Sequence, residues 1–397
     1  MKVKLGKPHI EGDKVIWIVY LILSVLSLIF VFSSIGKSVY RTNGDIVFMF
    51  IKQTFIISFG IVVVYIVHKI RYVNYAKGLK LIYAFSIFIL IFTLVVGEFI
   101  GKAANRWLEI PGLGQFQPSE IVKYILVVYV ASELETLRDK IRQKDEFWKL
   151  MFKIFLVCVL IFPENFSTSI IIFLACFALV FIAGARMKHI LMVVVLGFVM
   201  VSAVLGMYYV GFEFGRSETW VNRIDNFINN DPNEDNQYNS AIMAIATGGV
   251  TGVGIGNTVQ GRFLSESHND FIFAVILEEG GTFMCVVILL AYFVLFYRCI
   301  KVSRESKGLF GSYLSSGISF VIIIQALVNI LVATGLMPVT GQTLPFISYG
   351  GTSFLISSFA LGIILNISAE TEKAKKQIEN KTDEENSQVD NIKTQEV

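Results

Sequence analysis

Ten apolar runs dominate this sequence, each close to the ~20 residues that a helix needs to cross the roughly 30 Å hydrocarbon core of a bilayer. Lipid offers no partners for backbone polar groups, so only helices and closed barrels can cross it, and runs of this length favour helices. The sequence therefore predicts an all-α polytopic membrane protein with about ten transmembrane helices. The runs cover residues 15–33, 46–67, 79–100, 119–134, 147–162, 168–185, 190–212, 271–297, 313–333 and 352–368.

Composition supports lipid as the solvent of this chain. Hydrophobic residues make up 54% of it and charged residues only 16%, which is too apolar for a fold that faces water on all sides. The formal charge of +3 is carried in short clusters between the runs, so no nucleic-acid partner is expected. The four cysteines lie in or beside apolar runs without a CxxC spacing, and they predict neither a disulfide framework nor a zinc site.

Lysine and arginine predict the orientation, because these residues stay in the cytoplasm when they flank a span. Alternate loops are rich in both, which places both termini inside the cell. Residues 1–14 form a cytoplasmic N-terminus without a cleavage site, and residues 15–368 form the transmembrane domain. Residues 369–397 are polar and predict a disordered cytoplasmic tail. The fourth and fifth runs are short and charged. An error in counting them would invert the predicted orientation of every later span and loop.

The longest predicted external loop, 213–269, joins the seventh and eighth spans. It contains an amphipathic pattern at Tyr238, Ile242 and Ile245, which predicts a short helix, and then a glycine loop, 248–257, with GGVTGVGIGN. Glycine lets a backbone approach a ligand closely, although a plain flexible connection has the same composition. His268 and Asp270 follow at the mouth of the next helix. Two carboxylates, at 278 and 279, lie two turns deeper and predict pairing inside the bundle.

Two other predicted external stretches carry polar residues. In 101–120, Pro118 and Glu120 suit the first turn of a helix, and Lys123 lies one turn deeper on the same face. This buried pair either satisfies itself or lines a polar cavity. Trp107, beside Arg106, is typical of an interfacial anchor. The stretch 335–353 has two prolines and four glycines, which predicts a re-entrant loop. Either its hydroxyls line a site, or the loop only packs between helices.

Four segments together resemble the SEDS family (shape, elongation, division and sporulation) of RodA, FtsW and SpoVE proteins. They are NRW with FQPSEIVK, GGVTGVGIGN, HNDFIFAVILEE and MPVTGQTLPFISYGGTS, in the family's order across residues 15–368. The resemblance implies a bacterial inner-membrane enzyme that polymerises lipid II into peptidoglycan strands with a class B penicillin-binding protein. Two segments, LSESHND and EEGG, differ from the sequences that are usual in the family. These differences weaken any assignment to a subfamily. By resemblance alone, the GDKVIW opening favours an FtsW-like division role. The resemblance also implies other membrane proteins of the division or elongation machinery as partners.

The same resemblance implies roles for individual residues. Asp270 matches the family's catalytic aspartate, Glu120 and Lys123 match its membrane-embedded charge pair, and Trp107 matches its sensitive tryptophan. Glycan transfer needs a base for the attacking hydroxyl and cations for the departing pyrophosphate. Asp270 is the preferred base, and His268 is either a rival or a positioning residue. The remaining predicted substrate-binding residues are Arg106, Arg216, Arg223, Arg262 and Ser348.

Alternatives remain at this point. A divalent cation, Mg²⁺ or Mn²⁺, can share the neutralisation of pyrophosphate, although no ligand spacing demands one. A polar cavity with Glu120 and Lys123 at membrane depth would also suit a flippase for lipid II. A non-catalytic scaffold for a penicillin-binding protein is the third hypothesis. A flippase needs no base at the outer surface, and the sequence shows no sign of inverted repeats, so the polymerase is preferred.

Overall fold

The computed structural model describes residues 11–42, 46–100, 108–110, 114–163, 165–209, 236–262 and 267–395, together with Arg223, Phe227 and Leu264. In that part of the chain, all ten apolar runs lie in helices, numbered α1 to α7 and α9 to α11. The bounds of these ten are Lys14–Thr42, Ile46–Val67, Leu79–Ile100, Pro118–Leu137, Lys144–Ile161, Phe166–Ile182, Met187–Tyr209, Ile272–Glu305, Leu309–Ala333 and Gly351–Gln395.

The remaining long helix, α8, spans Asn236–Gly248 inside the loop between α7 and α9. It is the short helix that the amphipathic pattern in this loop predicts, and it packs against α9. Of the described helices, α1, α2, α9, α10 and α11 are each long and apolar enough to cross a membrane, and α3, α6 and α7 contain shorter apolar segments. The chain is thus a multi-pass membrane protein, while the number of ten spans stays a prediction.

A small hairpin interrupts the helical architecture before α4. Strand β1 (Leu108–Ile110) pairs antiparallel with β2 (Gly114–Phe116), and Glu109 lies opposite Gln115. The all-α prediction did not include this hairpin, because three-residue strands are too short to show the alternation that identifies a strand in a sequence. Pro118 then begins α4, where its missing N–H is not needed.

Helix α10 lies at the centre of the bundle and contacts α4, α6, α9 and α11. Helix α1 packs on α9, and α2 packs on α11. The apolar side chains of α10 that face these neighbours are buried, as expected for a helix surrounded by protein. Polar side chains on such a helix need partners inside the protein.

The tail was predicted to be disordered, and in the structure α11 continues to Gln395. The tail contains neither glycine nor proline, and it continues an existing helix, so the cost of nucleating a new one does not arise. Ion pairs hold its first turns: Glu370 with Arg71 at 3.2 Å, Lys373 with Glu11 at 2.5 Å and Lys375 with Glu305 at 2.7 Å.

Candidate active site

Asp270 lies at the N-terminal end of α9, where a polar turn becomes a buried helix. The residues from Phe271 to Glu279 are all buried, whereas Asp270 is half-buried. Asn329 of α10 holds its main chain, because Nδ2 donates to the carbonyl of Asp270 at 2.8 Å and to that of Gln342 at 2.6 Å. The carboxylate thus lies at the rim of the bundle, and Asn329 fixes the backbone that carries it.

The 335–353 loop passes directly beside this carboxylate. A Cβ on Gly341 would lie 3.5 Å from Oδ2 of Asp270. Ser348 is buried, donates to the carbonyl of Asn269 at 2.7 Å and accepts from the N–H of Leu344 at 2.7 Å. Because both bonds are internal, the Ser348 hydroxyl positions the turn before Asp270.

His268 is fixed to the same loop. The N–H of Tyr349 donates to the His268 carbonyl at 2.8 Å, and the two rings meet edge to face at 5.4 Å. Phe346 of the loop has a φ of 65°, a left-handed conformation that costs a bulky residue free energy of order 1–3 kcal/mol. The buried Phe346 ring packs on Tyr20, which offsets that cost. The loop is therefore a packed element, as the re-entrant prediction requires.

Glu278 is fully buried and binds the segment that leads away from the glycine loop. Its carboxylate accepts hydrogen bonds from the N–H groups of Val259 at 2.6 Å, Gln260 at 2.8 Å and Gly261 at 3.1 Å, and from the Thr258 hydroxyl. Four donors converge on this one buried carboxylate. Their hydrogen bonds replace those to the water that the carboxylate loses on burial. The carboxylate was predicted to pair inside the bundle, and its partners there are backbone N–H groups and one hydroxyl.

Glu279 is the second buried carboxylate of α9, and the Ser33 hydroxyl of α1 donates to it. Just beyond it, α9 bends at Gly281, whose φ is 64°. A Cβ on Gly281 would lie 2.4 Å from the carbonyl oxygen of Val250, and one on Gly252 would lie 2.1 Å from that of Glu279. Glycine is required at both positions because the glycine loop docks backbone to backbone on this bend.

The buried ion pair of α4 is satisfied inside the protein. Lys123 is 1% exposed, and its Nζ donates to Glu120 Oε2 at 2.7 Å and to Gln325 Oε1 at 2.8 Å. Gln325 in turn donates to the carbonyl of Thr343 at 3.0 Å. These contacts favour the hypothesis of a self-satisfied pair over that of a pair lining a polar cavity. They also connect the pair to the loop beside Asp270.

We expect Lys123→Met to lower the melting temperature strongly, because it leaves the buried Glu120 carboxylate without its cation. Removal of one partner of a buried pair typically costs about 3–5 kcal/mol. The double variant Glu120→Gln, Lys123→Met removes both charges and should recover most of the lost stability. Thermal unfolding in detergent measures both variants. A single variant as stable as the double variant would contradict the role of the pair in stability.

Several predicted residues are not placed by the structure. Arg106, Trp107 and Arg216 lie outside the described residues, and Arg262 is described only as part of a short 3-10 turn, Gln260–Arg262. Arg223 is placed, and its Nη1 donates to the carbonyl of Val339 at 3.1 Å. One predicted cation thus lies on the loop beside Asp270. Among the residues that the structure describes, no group of three or more His, Cys, Asp or Glu side chains could hold a metal ion.

Two amide side chains that were not predicted from the sequence join these parts. Gln325 and Asn329 lie one turn apart on α10 and hold Thr343 and Gln342, respectively. Gln342 in turn contacts α6, because its Nε2 donates to Thr168 Oγ1 at 3.0 Å. Two amides four residues apart within an apolar run were the available signal, since a polar side chain inside a membrane helix needs an internal partner.

Comparison with known proteins identifies the fold that carries this site. A family model described as cell cycle protein, covering FtsW, RodA and SpoVE, matches residues 13–373. This chain belongs to the FtsW/RodA/SpoVE family. The family is the SEDS family that the four sequence segments resemble, so that prediction is confirmed.

Among curated relatives of this SEDS protein is one named "Probable peptidoglycan glycosyltransferase FtsW" from Coxiella burnetii. It is 32% identical over 374 residues, which cover 90% of this chain and 96% of the relative. "Stage V sporulation protein E" from Bacillus subtilis is 30% identical over 368 residues, which cover 90% of this chain and 96% of that protein. The likeness therefore extends over nearly the whole length of both relatives.

Solved structures share the fold of this SEDS protein. One chain, from the structure called "Structural coordination of polymerization and crosslinking by a peptidoglycan synthase complex", matches with a TM-score of 0.72 at 22% identity. It covers 91% of this chain and 98% of the matched one. The rod shape determining protein RodA of Thermus thermophilus matches with a TM-score of 0.64 at 22% identity, covering 91% and 97% of the two chains. The predicted fold of a polytopic helical membrane protein is confirmed.

Proposed function

We propose that this SEDS protein is a peptidoglycan glycosyltransferase that polymerises lipid II at the outer face of the bacterial cytoplasmic membrane. The observation that carries the proposal is the half-buried carboxylate of Asp270, held at the rim of the bundle by main-chain bonds and flanked by the 335–353 loop. The relative from Coxiella burnetii, whose printed name is that of a peptidoglycan glycosyltransferase, supports the activity.

In this proposal Asp270 is the general base. A sugar hydroxyl attacks the anomeric carbon of the lipid-linked donor, Asp270 accepts its proton, and the pyrophosphate leaves with the donor's lipid. A base works best when its geometry is fixed before the substrate arrives, which Asn329 and Ser348 provide through the main chain. His268, fixed by its own carbonyl, positions this turn or contacts the sugar.

The leaving pyrophosphate requires positive charge near Asp270. Arg223 contacts the neighbouring loop, and the turn that contains Arg262 follows directly on the segment that Glu278 holds. We assign these two arginines, with Arg106 and Trp107, to substrate binding. A divalent cation, Mg²⁺ or Mn²⁺, would accompany the pyrophosphate of the donor. The Glu120–Lys123 pair supports the site through Gln325 and the 335–353 loop.

The flippase hypothesis gains less support from these contacts. A transporter would need charges at membrane depth that are available to the lipid headgroup. The Lys123 ammonium is instead buried against two oxygens of the protein, on Glu120 and Gln325. The position of Asp270 at the rim is what a surface-acting polymerase needs, and a flippase has no use for a base there.

We further propose that a class B penicillin-binding protein is the partner. The matched structure of a peptidoglycan synthase complex supports an assembly of this kind. Relatives named FtsW and Stage V sporulation protein E favour division or sporulation over elongation, and we propose an FtsW-like role beside other membrane proteins of the division machinery.

A gel assay of lipid II polymerisation tests this function. Purified protein, with a cognate class B penicillin-binding protein, should convert lipid II into a ladder of glycan strands. Omission of the partner measures its contribution, and a chelator followed by Mg²⁺ or Mn²⁺ tests the cation. Transfer of fluorescent lipid II across a liposome without strand formation would establish the flippase instead. Stimulated crosslinking by the partner without any polymer from this chain would establish the scaffold.

A further inference from the structure

A cluster of unpaired cations lies on the predicted cytoplasmic side, far from the chemistry proposed above. Two segments supply it: the connection from α4 to α5 and the connection from α6 to α7. We call this cluster the basic seam, and its members are Arg138, Lys140, Arg142, Lys144, Arg186 and Lys188. All six side chains are exposed.

The two segments are adjacent in space. A Cβ built on Gly184 would lie 3.8 Å from Nη2 of Arg142, so the guanidinium reaches across from one connection to the other. Beneath them, the rings of Phe147 and His189 pack with centroids 5.1 Å apart and join the first turns of α5 and α7. The seam is therefore one surface rather than two separate loops.

Charge pairing distinguishes the seam from three other cations on the same side. Arg71, Arg298 and Lys373 form ion pairs with carboxylates of the protein, at 3.2, 2.5 and 2.5 Å. In the described part of the chain, none of the six seam cations forms an ion pair. Nearby carboxylates are Asp139, Asp145 and Glu146, and the last is bound by Lys149 at 2.7 Å. The seam thus keeps a net positive charge for an external anion.

Exposed apolar side chains begin within one turn of these cations. They lie on α5, α6 and α7, where Phe152 is 65% exposed, Phe181 53%, Met187 67% and Leu191 63%. A soluble anion has no use for such a surface, whereas a phospholipid presents an anionic phosphate directly above two acyl chains. The continuity of cationic and apolar surface therefore favours a lipid over a soluble acidic partner.

The start of α7 adds two features to the seam. Its first turn contains no acidic residue, so the positive end of the helix dipole is not compensated by its own side chains. The His189 side chain in that turn is buried, with 6% exposure. Its Nδ1 has no hydrogen-bond partner among the described residues. A buried nitrogen without a partner is unusual in a folded protein.

We propose that the basic seam binds the headgroup of an anionic phospholipid of the cytoplasmic leaflet. The phosphate would lie between Arg142 of one connection and Arg186 and Lys188 of the other, and the acyl chains would cover the apolar surface of α6 and α7. Such a lipid joins the start of α7 to α5 from the membrane side. This inference is independent of the proposed catalytic function.

Native mass spectrometry of the full-length protein in neutral detergent tests the proposal. The protein is titrated with phosphatidylglycerol or with phosphatidylcholine of the same acyl chains. We expect the wild type to retain phosphatidylglycerol preferentially, and we expect the triple variant Arg142→Gln, Arg186→Gln, Lys188→Gln to weaken this binding roughly tenfold or more. The matched control, Lys69→Gln, Lys77→Gln, Lys80→Gln, removes the same charge from exposed positions on the same side and should bind like the wild type.

Further arms identify the ligand. Added salt should weaken phosphatidylglycerol binding, because exposed charges are screened. Inorganic phosphate or a polyglutamate peptide, at the same concentration of anionic groups, should not displace the lipid. Equal retention of both lipids by the wild type, or equal losses in the two triple variants, would overturn the proposal. Tight binding of polyglutamate to the seam without lipid selectivity would assign the surface to an acidic protein partner instead.

Discussion

Asp270→Asn is expected to abolish glycan strand formation from lipid II while the protein stays folded. Asparagine has nearly the same shape and keeps the contacts that fix this turn, since Asn329 binds the main-chain carbonyl rather than the carboxylate. It cannot accept a proton from the attacking hydroxyl, and loss of a general base typically lowers a rate by about 10²–10⁴-fold. The gel assay with the penicillin-binding partner present measures strand formation, and thermal unfolding measures the fold.

His268→Gln is the matched control for this experiment. His268 is held through its carbonyl by Tyr349, so the substitution removes the rival base and the ring contact but leaves the main chain in place. We expect slower polymerisation than in the wild type, with strands still formed. If Asp270→Asn makes strands at the wild-type rate and His268→Gln makes none, the base is the imidazole and our assignment is wrong.

Glu278→Gln should produce the second large effect, on both stability and polymerisation. The carboxylate accepts from three backbone N–H groups and the Thr258 hydroxyl. Glutamine offers one accepting oxygen and turns an NH₂ group toward the remaining donors, which leaves buried donors unsatisfied at about 1–3 kcal/mol each. The segment that leads to Arg262 should detach, and polymerisation should fall with it.

Thermal unfolding and limited trypsin digestion measure this outcome. Cleavage after Arg262 should be faster in Glu278→Gln than in the wild type, since detachment exposes the turn that contains it. The matched control is Glu279→Gln, in the neighbouring buried carboxylate, because an amide oxygen can still accept from the Ser33 hydroxyl. If the two variants show the same melting temperature and the same cleavage rate, Glu278 does not anchor the segment as we infer.

The helices and the location of Asp270 could be predicted from the sequence alone. Apolar runs near the length of a bilayer span predicted α1 to α7 and α9 to α11, since lipid requires each backbone polar group to be bonded within its own segment. The amphipathic pattern at Tyr238, Ile242 and Ile245 predicted α8. The polar turn before α9 placed Asp270 at a helix end, and the structure has it there.

The partners of the polar residues could not be predicted in the same way. Glu278 binds backbone N–H groups, which every residue except proline carries, so residue identity gives no sign of this contact. Ser348 was predicted to bind substrate, and nothing in the sequence indicated that its hydroxyl donates to the Asn269 carbonyl. The ion pairs of the tail, such as Lys375 with Glu305, join segments far apart in the sequence and could not be predicted either.

The sequence by itself determined that the chain crosses a membrane and which segments become helices, because these properties depend on local composition and spacing. Its four signature segments, by their resemblance to a known family, also predicted the family. Only the tertiary structure decided that α10 joins the Glu120–Lys123 pair to the loop beside Asp270, through Gln325 and Asn329. These contacts join residues up to about two hundred positions apart, and hydrogen bonds of that kind exist only once packing has excluded both water and lipid from the centre of the bundle.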